Sequence, residues 1–108
     1  LRGQPEAAHY AAAKGAIIGF SKSIAREVAG TGVRVNVVAP GPVDTPFFAR
    51  GMEGDTLDQV RTERAESIPL GKIGHPEQVA PVILFLLGNG ASHMTGQVIP
   101  VDGGEMMR

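Results

Sequence analysis

The chain has 108 residues, a formal net charge of −1 and no cysteine. This nearly neutral balance provides no broad electrostatic field for nucleic acid or an anionic membrane, so we expect neither partner. The lack of cysteine excludes disulfides and thiolate metal sites and favours a cytoplasmic setting. The length can bury a modest core, but a complete dinucleotide-binding sheet with helices on both faces needs more chain.

The first predicted element is a long helix over residues 7–29. One set of apolar side chains recurs at steps of three and four, the spacing of one helical face; the set is Tyr10, Ala13, Ile17, Phe20, Ile24 and Val28. A second stripe consists of the small residues Ala11, Gly15 and Gly19. Because glycine inside a helix costs about 1 kcal/mol relative to alanine, this stripe predicts a closely packed neighbour.

Tyr10 and Lys14 lie four residues apart in this helix, so a phenol and an ammonium should share one face. A free phenol ionises near pH 10, and a positive charge within reach favours the phenolate form. Such a pair can give and take protons. The same spacing also occurs by chance, with the lysine only covering the ring, and the pair alone does not decide between these interpretations.

Residues 33–39 form a short β-branched run that predicts a central parallel strand covered on both faces. A loop rich in proline and glycine, residues 40–45, follows it. Ligands of open α/β sheets bind beyond the carboxyl ends of the strands, so this loop is predicted at the mouth of a site. Taken without its neighbours, the loop is no more than a stiff turn.

The next segment, residues 46–70, is predicted to insert a loop and a polar helix before the chain returns to the sheet. The helix is expected over 56–67, where Thr56 and Gln59 can form a capping box. Its apolar stripe is thin, which predicts weak attachment to the rest of the chain and a role as a lid.

The last third of the sequence predicts one helix and one strand. Pro76 suits the first position of a helix that runs to Leu87, and residues 97–101 suit an edge strand because Pro100 cannot donate a ladder bond. The turn that follows, residues 102–104, is interpreted as structural. The three histidines show no ligand spacing, so no metal site is predicted.

Together these motifs resemble the C-terminal part of the short-chain dehydrogenases/reductases, nearly from end to end. The matching segments are Tyr10-x-x-x-Lys14, Asn36-Val37-Val38-Ala39-Pro40-Gly41 with Thr45, Gly74-x-Pro76-Glu77, Thr95-Gly96-Gln97 and Val101-Asp102-Gly103-Gly104. The resemblance implies an α/β fold, the C-terminal portion of a Rossmann-like doubly wound parallel sheet, with two strands and three to four helices present. Residues 1–108 would then be a partial dinucleotide-binding domain, with 46–70 as a substrate-side insertion.

The resemblance also implies a reaction, the transfer of a hydride between the nicotinamide of NAD or NADP and an alcohol or ketone carbon. Tyr10 would be the acid/base, and Lys14 would hold the nicotinamide ribose. Further cofactor contacts are implied in the loop after the first strand, at Pro40, Gly41, Val43 and Thr45. Among them, the Val43 backbone and the Thr45 hydroxyl would bind the carboxamide, while Gly41 would let the chain come close.

Phe47, Phe48 and Met52 are the candidates for an apolar substrate pocket, although the two phenylalanines could equally anchor the loop to the core. The small-residue stripe of the first helix could pack against its counterpart in a homodimer or homotetramer, as the resemblance implies. It could equally pack on the sheet of its own chain.

The family's Gly-rich nucleotide-binding loop and catalytic serine lie upstream of the Tyr10 position, and neither occurs in this sequence. We therefore expect a fragment that is inactive alone. The alternative is a non-catalytic oligomerisation module derived from such an enzyme. A complete small α/β domain with a coincidental Tyr10–Lys14 pair disagrees with the number of matching motifs.

Overall fold

A computed structural model describes residues 8–107. Its elements, in chain order, are α1 (Ala8–Val28), a 3-10 turn (Ala29–Thr31), β1 (Val37–Pro40), α2 (Pro46–Ala49), α3 (Gly54–Glu66), α4 (Pro76–Leu87), a second 3-10 turn (Asn89–Ala91) and β2 (Val98–Val101). Two strands and four α-helices in the described part agree with the predicted element count. No helix of this part is both long and apolar enough to cross a membrane.

The two strands pair with each other and run parallel. The Val37 N–H donates to the Gln97 carbonyl (2.8 Å), and the Gly41 N–H donates to the Val101 carbonyl (3.1 Å). The partners therefore advance in the same direction on both strands, which is the parallel pattern.

Strand β1 begins four residues later than predicted, and before it the chain is held by side-chain bonds together with one backbone bond, from the Gly96 N–H to the Val35 carbonyl (2.7 Å). The Val35 N–H donates to Thr95 Oγ1 (3.1 Å), and the Asn36 side chain bridges the Met94 carbonyl and the Gln97 N–H (3.0 and 3.1 Å). Within residues 8–107, β1 has one strand neighbour and lacks a buried residue. The expectation of a central strand covered on both faces is therefore not met by this part of the chain.

The described chain divides into two compact units. The first contains the residues up to Val38 together with Phe85–Ile99, and the second contains Ala39–Leu84 together with the residues from Pro100 onward.

In the first unit, the inner side of helix α1 takes residues from both predicted stripes. Ala25 is buried, and Ala11, Gly15, Ile24 and Val28 are half-buried, whereas Ile17 and Phe20 of the predicted apolar stripe are exposed. The small-residue stripe thus lies partly on the inner side, except for Gly19, around which a methyl group would meet no atom within 4 Å. Periodicity alone could not choose between the two stripes, because both have helical spacing.

In the second unit, α3 begins at Gly54, two residues before Thr56, so the predicted capping box is wrong. The N-cap residue is Glu53, and its side chain makes no capping bond. Ile68, just after the helix, is the buried residue of this region. Helix α4 begins at Pro76 and ends at Leu87, as predicted.

Candidate functional site

The predicted site residues fall into two groups, one in each unit. Tyr10 and Lys14 belong to helix α1 of the first unit. The cofactor and substrate candidates belong to the loop after β1 and to helix α2 of the second unit.

Tyr10 and Lys14 share one face of α1, which confirms the prediction from their spacing. The Lys14 Nζ lies 5.3 Å from the centroid of the Tyr10 ring, a cation–π contact worth about 0.5–1 kcal/mol at an exposed site. The tyrosine is 58% exposed. Within this unit the ammonium therefore lies against the ring, and the phenol is open to approaching molecules.

Gly41 occupies the start of the loop that follows β1. A Cβ atom at this position would lie 2.7 Å from Asp102 Cβ and 3.0 Å from Asp102 Cα. Such separations are far inside van der Waals contact, so a side chain would displace the main chain at Asp102. The glycine is therefore required for packing against Asp102, independently of any ligand.

Val43 lies in an isolated parallel bridge with Gly74. The Gly74 N–H donates to the Pro42 carbonyl (2.9 Å), and the Asp44 N–H donates to the Gly74 carbonyl (2.8 Å). This arrangement uses the polar groups on either side of Val43 and not its own. Val43 N–H and C=O have no backbone partner among residues 8–107, so the bridge leaves their hydrogen-bonding capacity unused.

Thr45 is the N-cap residue of α2, with Pro46 at the first helical position. Its Oγ1 accepts a hydrogen bond from the Phe48 N–H (3.2 Å), which is the usual bond of a capping threonine. The hydroxyl hydrogen has no assigned acceptor within the described part of the chain. Thr45 can therefore donate a hydrogen bond while its oxygen holds the start of the helix.

The three substrate candidates differ in their surroundings. Phe47 is 72% exposed, and the Arg50 guanidinium lies 3.9 Å from its ring centroid. Phe48 and Met52 are half-buried. Of the two phenylalanines, Phe48 thus has the partial burial that an anchoring role needs, whereas Phe47 is open. Their expected part in lining a substrate pocket stays a prediction.

One feature near the loop was not predicted from the sequence, an ion pair between Asp44 and Arg61. Arg61 Nη2 lies 2.9 Å from Asp44 Oδ1, so an acid between two cofactor candidates is held by helix α3. The partners are 17 residues apart, and no local spacing rule relates them. The sequence signal for this pair is that Arg61 lies beside the thin apolar stripe of an otherwise polar helix.

A groove of about 680 Å³ lies in the first unit. It is lined by Ala29, Gly32, Val33, Arg34, Ser92, His93, Met94, Thr95 and Gln97. The guanidinium of Arg34 donates hydrogen bonds to the Met94 and Gly88 carbonyls (3.2 and 3.3 Å). These bonds give Arg34 a structural role in the groove. None of the predicted site residues lines this groove.

Comparisons with known proteins find a matching family model, related sequences and similar solved structures. A family model described as Enoyl-(Acyl carrier protein) reductase matches residues 1–105. A 3-oxoacyl-(acyl-carrier-protein) reductase FabG of Chlamydia trachomatis serovar D is 46% identical over 104 residues, which make up 96% of this chain and 40% of that protein. A protein of Xanthobacter autotrophicus named inactive 2-(S)-hydroxypropyl-CoM dehydrogenase 2 is 41% identical over 105 residues, 96% of this chain and 46% of that protein.

The crystal structure of a 3-oxoacyl-(acyl-carrier protein) reductase from Brucella melitensis with bound NAD superposes with a TM-score of 0.79 at 39% identity. The match covers 94% of this chain and 34% of that one. The similarity confirms the predicted partial Rossmann-like α/β fold. It also shows that the chain spans less than half the length of the proteins it resembles.

Proposed function

Because this chain belongs to the short-chain dehydrogenase/reductase family, we propose that it forms the C-terminal part of an oxidoreductase that uses NAD or NADP. The reaction is hydride transfer between the nicotinamide and an alcohol or ketone carbon of a small molecule. The observation that carries the proposal is the loop after β1, where the free polar groups of Val43 and the Thr45 hydroxyl lie two residues apart.

These groups fit a nicotinamide carboxamide, which contains one carbonyl oxygen and one NH2 group. The Val43 N–H and the Thr45 hydroxyl can donate to the oxygen, and the Val43 carbonyl can accept from the NH2 group. The bridge to Gly74 and the cap of α2 fix both residues before any ligand arrives, which lowers the entropic cost of binding. When bound, the cofactor supplies or accepts the hydride.

Tyr10 performs the proton transfer in this proposal. In the reductive direction its hydroxyl protonates the oxygen of the developing alkoxide, and in the oxidative direction the phenolate takes the proton from the alcohol. Lys14 holds the ribose hydroxyls through its ammonium, which lies 5.3 Å from the centroid of the Tyr10 ring. The exposure of Tyr10 within its unit supports access to a substrate.

The family's phosphate-binding loop and its serine do not occur in this sequence. We therefore propose that the 108-residue chain alone neither binds nucleotide tightly nor turns over. Isothermal titration of the chain with NAD and NADP at millimolar concentrations should show no saturable binding. Clear saturation would contradict this part of the proposal.

The second candidate is a non-catalytic oligomerisation module. Two observations favour it, the exposed Ile17 and Phe20 on helix α1 and the relative that is named inactive. For the complete enzyme we propose a homodimer or homotetramer in the cytoplasm. Light scattering beside a dehydrogenase assay separates the candidates, because a defined oligomer without activity supports the module.

The loop itself provides the test of the proposed cofactor role, in the enzyme that carries this chain. Thr45→Val keeps the size of the side chain and removes the hydroxyl, whereas Thr45→Ser keeps the hydroxyl. We expect Thr45→Val to weaken NAD or NADP binding about tenfold, from the loss of about 1–1.5 kcal/mol of hydrogen bonding, and Thr45→Ser to stay close to wild type. Equal affinity in all three proteins would remove Thr45 from the site.

A further inference from the structure

Helix α3 is attached to the second unit by two ion pairs as well as by half-buried apolar side chains. No residue of α3 itself is buried, and its apolar side chains Leu57 and Val60 are half-buried. Two arginines on the same side of the helix extend to acids elsewhere in the unit. Arg61 reaches Asp44, and Arg64 reaches Glu105.

The two ion pairs are similar in geometry. Arg61 Nη2 lies 2.9 Å from Asp44 Oδ1, with the side chains 38% and 31% exposed. Arg64 Nη2 lies 3.1 Å from Glu105 Oε2, with the side chains 40% and 16% exposed. Both pairs are therefore half-buried and partly screened by water. They differ in the position of the acid, because Asp44 lies in the loop after β1 and Glu105 lies beyond the turn at residues 102–104.

Asp44 is fixed on two sides. Its N–H donates to the Gly74 carbonyl (2.8 Å), and its carboxylate accepts from Arg61. Its chain neighbours are Val43, whose polar groups are free, and Thr45, whose hydroxyl can donate. A displacement of α3 that carries Arg61 away removes one of the two constraints on the residue between them.

We propose that Arg61 and Asp44 are positioning residues that link helix α3 to the nicotinamide-binding loop. The inference rests on the proposed function, because it requires that Val43 and Thr45 bind the nicotinamide. While the pair is formed, the loop is held in the conformation that presents both residues. When the pair is broken, the loop loosens and holds the nicotinamide less firmly.

The Arg64–Glu105 pair provides the matched control. It holds the same helix at a similar distance, but Glu105 lies beyond the turn at residues 102–104 and is not a cofactor candidate. If the ion pairs served only to stabilise α3, loss of either would have the same effect. The proposal requires that loss of the Arg61 pair changes the loop and that loss of the Arg64 pair does not.

The experiment compares Arg61→Gln, Asp44→Asn and Arg64→Gln in the enzyme that carries this chain. Arg61→Gln and Asp44→Asn should each raise the Kd and KM for NAD or NADP about two- to fivefold, the range of a partly exposed ion pair, with kcat changing less. Arg64→Gln should match wild type, and Arg61→Lys should recover part of the loss. The difference between wild type and Arg61→Gln should shrink as ionic strength rises, because salt screens the pair.

Hydrogen exchange in the 108-residue chain gives a readout that needs no cofactor. The amides of Asp44 and Phe48 are both hydrogen-bonded in the loop. They should exchange faster in Arg61→Gln and Asp44→Asn than in wild type, and at the wild-type rate in Arg64→Gln. Asp44→Asn preserves size, so it also serves if Arg61→Gln does not fold.

The failures of the two proposals can be told apart. A wild-type enzyme that binds no nicotinamide nucleotide overturns the proposed function, and the exchange measurement still decides whether α3 holds the loop. A wild-type enzyme that binds normally, with equal effects of the Arg61 and Arg64 variants on affinity and exchange, overturns the positioning role.

Discussion

The loop at Pro40–Thr45 and the Tyr10–Lys14 pair differ in how firmly the described residues hold them. The loop is fixed by a backbone bond to β2, a bridge to Gly74, an ion pair to Arg61 and the cap of α2. The pair stands on an exposed helical face with one cation–π contact. This chain thus prearranges the groups proposed for the nicotinamide, whereas the proposed acid/base group depends on what binds beside it.

The first effect expected from this contrast concerns Lys14. Lys14→Met removes the ammonium and keeps much of the apolar side chain, so the proposed charge-assisted bonds to the nicotinamide ribose are lost. In the enzyme that carries this chain, we expect kcat/KM for hydride transfer to fall about 10- to 100-fold, from the loss of about 1.5–3 kcal/mol of hydrogen bonding to a charged group.

Lys22→Met is the matched control for this prediction, because Lys22 is an exposed lysine of the same helix. It should leave the rate unchanged in the same spectrophotometric assay of NADH or NADPH. Equal rates for wild type and Lys14→Met would show that the ammonium has no part in the chemistry.

A second pair of variants tests the rigidity of the loop. Gly41→Ala places a methyl group against Asp102 and should destabilise the chain by about 1–3 kcal/mol. Gly19→Ala, which adds a methyl group to open space in helix α1, should stabilise it by about 0.5–1 kcal/mol. Urea unfolding followed by circular dichroism measures both. A Gly41→Ala chain as stable as wild type would contradict the tight packing of the loop.

The smallest effect on stability is expected on the exposed face of α1. Phe20→Ser replaces a side chain that is 68% exposed, so the free energy of unfolding of the monomer should change by less than about 0.5 kcal/mol. If this face forms the proposed oligomer, the same variant should dissociate it in light scattering. A large loss of monomer stability would show that the face is covered within the chain.

Local signals in the sequence predicted the helix boundaries well where a single residue determines them. Pro76 begins α4, as predicted, because proline suits the first helical position. The end of β1 at Pro40 also follows from residues that interrupt a strand. The Tyr10–Lys14 contact followed from spacing alone.

Features that depend on distant residues were not predictable in the same way. The inner face of α1 depends on which residues find a neighbour, and the bonds of Asn36 and Thr95 before β1 join residues 58 and 60 positions apart in the chain. The Asp44–Arg61 pair joins two segments whose proximity is created by the fold. The resemblance predicted a role for the Val43 backbone. Only the bridge to Gly74 shows that its N–H and C=O lack a backbone partner among residues 8–107.

Hydride transfer by Tyr10→Phe in the enzyme that carries this chain, measured beside its affinity for NAD or NADP, tests whether the phenolic oxygen moves the proton. We expect a loss of about 100- to 10,000-fold in rate, the usual contribution of a general acid/base, with cofactor affinity nearly unchanged. His9→Gln, which changes the neighbouring exposed residue, should keep the wild-type rate. Full activity in Tyr10→Phe would contradict this role, because the phenolic oxygen would then have no part in the proton transfer.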